Sequence, residues 1–114
     1  MGNEDVRGSC DALGYTETLD FVVIALCADY DRRKRAGREV ALARRVLMEY
    51  EYLDIIIKEG ADEIVGPRYG ETFIREIGLR IGYAKSSVNC YSEGAYKQLK
   101  LAVKLNVAKK LHLL

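Results

Sequence analysis

Residues Glu76 to Leu99 read EIGLRIGYAKSSVNCYSEGAYKQL, and their apolar and glycine positions suit two helices that meet at a corner. Ile77, Ile81, Tyr83, Val88 and Tyr91 are the apolar positions, and Gly78 occupies the small site where the helices cross. Gly82 falls in the turn, where glycine takes the left-handed conformation that ends one helix and re-aims the chain. A helix-turn-helix of this kind lays its second helix in the major groove of DNA.

The residues that carry this pattern are Glu76-Ile77, a small residue, Ile81-Gly82, an apolar residue, Lys85-Ser86, Val88, and then Ala95 and Leu99. The stretch resembles the DNA-binding module in the fourth region of sigma factors, and the phage transcriptional regulators of the RinA and ArpU type that carry a similar module. It departs from them at Gly78, where alanine is usual, and at Ala84, where a capping serine is common. No arginine lies in the first two turns of the expected reading helix. The resemblance implies transcriptional control of phage genes by promoter binding, with double-stranded DNA and RNA polymerase as partners.

A chain of 114 residues suits one domain and one core. With 49% hydrophobic residues and a single proline, it is rich enough to fold and poor in helix breakers, so an all-α fold is expected. The net charge of +1 favours neither nucleic acid nor membrane, but its distribution is uneven. From Arg75 to Leu114, eight Lys or Arg stand against two acids, while residues 1–74 hold ten basic and fifteen acidic residues. The positive part coincides with the helix-turn-helix pattern, as a phosphate-binding face requires; a solvated basic surface reads the same way.

Three scattered cysteines and one histidine, His112, give neither a disulfide framework nor a metal site, and free thiols suit a reducing cytoplasm. The apolar run from Phe21 to Ala28 is too short to span a bilayer and reads as core, so no membrane contact is expected. No glycine-rich phosphate loop, nucleophile elbow or carboxylate-histidine constellation is present, so neither an enzyme nor a cofactor is proposed.

Residues 1–15 show no period and read as a flexible tail, followed by one helical domain over 16–114. Thr16 caps a helix over about 17–36 that ends before Gly37, its first turn carrying Glu17 and Asp20. The basic run Arg32 to Arg35, with Arg38 beyond, forms the cationic end of that helix or grips phosphates, the former being preferred. A second helix from Arg38 carries the stripe Val40, Ala43, Val46, Leu47, Tyr50, Leu53, Ile57 and Ile64. The run Ile55-Ile56-Ile57 marks it as the central element, covered on more than one side. These two helices brace the remainder, and Gly66-Pro67 ends the second.

The spacing then predicts a third helix over about 69–81, with Phe73, Ile74, Ile77 and Ile81 inward. A long fourth helix is expected from Ala84 or Lys85 nearly to Leu114, with Gly94 as a point of kinking. Val88, Tyr91, Ala95, Leu99, Val103, Val107 and Leu111 hold one seam along it, which offers a surface for a homodimer.

In duplex DNA the start of the fourth helix would face the groove, with Lys85, Ser86, Ser87 and Asn89 near base edges. Arg75, Arg80, Lys97 and Lys100 would hold backbone phosphates, while Lys104, Lys109 and Lys110 lie on a solvated face. Eight tyrosines also admit a stacking face for single strands, although buried tyrosines explain the same residues, and Tyr50 and Tyr52 cannot both point inward. The sequence therefore reads as a helix-turn-helix DNA-binding regulator in a bundle of about four helices. A helical protein-interaction module, or a virion-assembly or DNA-packaging subunit akin to a small terminase, is the alternative.

Overall fold

Thr16 starts the first helix as expected: its hydroxyl accepts the amide of Leu19, relieving one of the four unpaired donors at a helix start. The computed structural model describes residues 14–36, 44–88 and 90–114. Among the described residues the helices are α1 (Glu17–Ala28), α2 (Tyr30–Ala36), α3 (Arg44–Val65), α4 (Gly70–Gly78) and α5 (Glu93–Lys110), with a 3-10 turn at Tyr83–Lys85. The fold is all-α, a small bundle in which α1 and α2 form one broken rod. No helix among the described residues is long and apolar enough to cross a membrane.

The break corrects the continuous helix expected over 17–36. It falls at Asp29, whose carboxylate Arg32 and Arg33 reach from the first turn of α2. Most of the expected tail, and the segment holding Gly37, Arg38, Val40 and Ala43, lie outside the described residues. The tail's last residue does not behave as tail, since Tyr15 is 3% exposed in the core and donates its hydroxyl to Asp20.

The core is Val23, Cys27 and Tyr30 from α1 and α2, Ile57, Ala61 and Val65 from α3, Phe73, Ile74 and Ile77 from α4, and Tyr96, Val103, Val107 and Ala108 from α5. α3 is the central element and packs on α2, α4 and α5. Two glycines set how closely the helices approach. At Gly60 a Cβ would lie 2.9 Å from Val107 Cγ2, and at Gly78 it would lie 2.5 Å from the backbone of Ala28. Gly78 is thus a small crossing site, but the helix it admits is α1.

Ile57 is fully buried, Ile56 half-buried and Ile55 exposed, so the side of α3 at residue 55 has no cover among the described residues. Inside α5, Val103 and Val107 have no exposed surface. The seam expected to pair two copies is consumed within the chain.

Candidate nucleic-acid interface

α4 ends three residues before the expected position, and its end shows which residue turns the chain. The amide of Arg80 donates to Ile77 O and that of Ile81 to Glu76 O, the paired bonds of a Schellman termination. Arg80 holds the left-handed conformation with φ of 54°, while Gly82 is extended with φ of −83°. The pivot is therefore arginine, against the usual preference for glycine. His112 ends α5 in the same way, with φ of 59°.

Beyond Arg80 the expected reading helix is absent. Tyr83–Lys85 makes one 3-10 turn, residues 86–88 are non-helical, and α5 starts only at Glu93, capped by Ser92 through the amide of Ala95. Gly94 lies in the first turn of α5, at its start and not within a longer helix. Two helices separated by residues 79–92 replace the tight corner.

A buried carboxylate explains why. Glu76, 4% exposed on α4, accepts four hydrogen bonds: from the Ser86 hydroxyl, the Ser87 amide at 2.9 Å, the Ser87 hydroxyl at 2.8 Å and the Tyr96 hydroxyl at 2.6 Å. Ser86 Oγ also accepts the amide of Val88, whose side chain is buried. These side-chain bonds satisfy backbone donors that a helix would otherwise engage. Burial pushes the carboxyl of Glu76 upward, but the bonds from Ser86, Tyr96 and Ser87 together prevail and its pKa is lowered. Tyr96 is pushed the other way, to about 12, by burial and by its bond to Glu76.

Two further bonds fasten the connector. Lys100 Nζ donates to Ile81 O at 2.8 Å, and the Tyr83 hydroxyl donates to Tyr91 O at 2.7 Å. Desolvation lowers the pKa of Lys100, with Lys104 adding to it. Tyr69, Phe73, Tyr83, Tyr91 and Tyr96 form a chain of tilted and edge-on rings, which places these tyrosines in packing. Tyr52, by contrast, is 65% exposed.

The eight residues expected to meet DNA therefore divide. Ser86 and Ser87 are tied to Glu76, Lys100 is spent on a carbonyl, and Arg75 pairs with Asp31 at 3.0 Å and approaches Glu71. Asn89 lies outside the described residues. Arg80, Lys85 and Lys97 are exposed; Lys97 lies 3.6 Å from Glu93, whereas Arg80 and Lys85 have no acid partner among the described residues. The guanidinium of Arg80 stands 5.6 Å from the centre of the Phe21 ring.

The charge asymmetry of the sequence has the same internal outlet. Lys104 binds Asp20 at 2.8 Å, Lys110 binds Glu63 at 2.6 Å, and Arg75 binds Asp31. Lys104 and Lys110 are thus structural ion pairs between the basic and acidic parts of the chain. The basic run behaves likewise: Arg33 is 3% exposed and donates to Asp54, Asp29 and Leu26 O, and Lys34 meets Glu71. Sequence reading missed Glu76 as the organiser of this region. Its signal was an acid set among the inward positions Phe73, Ile74 and Ile77, ten residues ahead of two serines.

Comparison of the chain with protein-family models, with curated proteins and with solved structures gives no match.

Proposed function

We propose that this chain binds duplex DNA through phosphate contacts from the connector and the first turns of α5, and serves in transcriptional control as the phage regulators it resembles do. The observation that carries the reading is the exposure of Arg80 and Lys85, without acid partners among the described residues, on a segment fixed by Glu76, with Lys97 near the start of α5. Charges on a fixed segment meet phosphates with little loss of conformational entropy. A reading helix that begins at residue 84 is not part of the proposal. Contacts of this kind position a protein on DNA without specifying sequence.

Titration of a random-sequence duplex at increasing salt tests it. Three phosphate contacts predict a slope of log affinity against log salt of roughly −3, and Lys85→Glu or Arg80→Glu each reduces that slope by about one. No association at low salt would refute it. The exposed apolar residues Met48, Tyr52 and Ile55 favour a second reading, a helical module that docks on another protein; it predicts binding that persists at high salt.

A further inference from the structure

Leu79, 69% exposed, is the most exposed large apolar side chain among the described residues, yet its backbone has little freedom. Its amide donates to Arg75 O, the next two amides complete the termination of α4, and Lys100 holds Ile81 O. The preceding residue, Gly78, presses the end of α4 on α1, where a Cβ would lie 2.5 Å from the Ala28 backbone. The following residue, Arg80, is exposed without an acid partner among the described residues, and its guanidinium stands beside the exposed Phe21 ring. A fixed apolar tip and an unpaired cation therefore share one corner of the molecule.

The charge beside the tip selects what covers it. Arg80 and, five residues on, Lys85 attract an anion, and duplex DNA is the anion proposed for this segment; the inference rests on that reading. Apart from the thymine methyl group, the apolar surface of a duplex is the faces of its bases, which stay hidden until a base step opens. We propose that Leu79 enters a base step from the minor groove, unstacking it and bending the duplex, while Arg80 lies in the groove beside it. Apolar wedges open base steps from the minor-groove side, and the narrow groove of A·T-rich DNA carries the negative potential that draws arginine. Guanine places its N2 amino group on the floor of that groove, in the way of both side chains. The preferred site is therefore A·T-rich around a TA step, which unstacks readily.

Fluorescence energy transfer between the ends of a duplex of about 20 base pairs tests it, with the full chain added to an A·T-rich duplex around a central TA step and to one of G·C pairs only. Binding should shorten the first duplex and not the second, with affinity for the first about tenfold higher. Phosphate contacts are blind to sequence, so the preference comes from the tip. Leu79→Ala should abolish the shortening and most of the preference, and Leu79→Met should retain both. The side chain is exposed, so circular dichroism and the thermal midpoint of either variant should match wild type. Equal affinity for the two duplexes without shortening overturns the wedge and leaves the phosphate contacts standing, as does shortening that survives Leu79→Ala. No association with either duplex at low salt overturns both readings.

Discussion

The connector over residues 79–92 and the first half of α3 are ordered by opposite means. Beyond the α4 termination, the described residues of the connector are non-helical apart from one 3-10 turn, bury Val88, and are held by side-chain hydrogen bonds that converge on Glu76. The first half of α3 is regular helix whose outer apolar residues have no cover among the described residues. A satisfied polar cluster can fix an irregular segment, because a buried carboxylate cannot give up its donors cheaply. Apolar periodicity can specify a helix and still leave open what lies against it.

The sharpest way to break that contrast is to remove its two halves in turn. Glu76→Ala strands the Ser87 amide and the hydroxyls of Ser86 and Tyr96, and should cost about 3 kcal/mol in urea unfolding. Gly78→Ala should cost about 2 kcal/mol in the same assay, since its Cβ would meet the Ala28 backbone at 2.5 Å and force α1 from α4.

Acid sharpens the comparison further. Because the folded pKa of Glu76 is lowered from the ordinary 4.5, its contribution to stability is fully present above that value and lost as pH falls through the folded pKa. Asp29, Glu63 and Glu71 are lowered too and act with the same sign, so the difference between wild type and Glu76→Gln isolates the clamp. That difference should be largest near neutral pH and shrink in acid; a constant difference would show that the charge of Glu76 is not involved.

Smaller effects separate stability from binding. Arg80→Gly relieves a left-handed arginine and should stabilise the fold by about 1 kcal/mol while weakening DNA affinity. Ile55→Ala, on the uncovered face, should stay within about 0.5 kcal/mol of wild type. A loss comparable to that of Glu76→Ala would mean that the two regions are ordered alike.

Periodicity found the inward faces of Phe73, Ile74 and Ile77, and of Val103 and Val107, because a buried helix face must repeat near 3.6 residues. It carried the fourth helix too far towards the N-terminus for a physical reason. Val88, Tyr91 and Ala95 keep helical spacing whether or not the backbone between them is helical, and periodicity cannot register the carboxylate that binds Ser86 and Ser87. The break at Asp29 was hidden in the same way, since the apolar period runs through it and the bonds from Arg32 and Arg33 do not show in it. Glycine's conformational freedom points to Gly82 as the turn, yet the main-chain bonds to Glu76 and Ile77 place the turn at Arg80. The excess of basic residues from Arg75 onward is plain in the sequence, but which of them face solvent depends on acids of α1, α2, α3 and α4 that only the folded chain brings near.

Backbone chemical shifts and amide exchange of residues 84–92, measured by NMR on the full chain, bear most directly on the role of Glu76. Non-helical Cα shifts at Ser86, Ser87, Val88 and Tyr91, with a Ser87 amide protected in wild type and exposed to exchange in Glu76→Gln, are the predicted result. Uninterrupted helical shifts from Ala84 into α5, with Ser87 exchanging alike in both proteins, would contradict it.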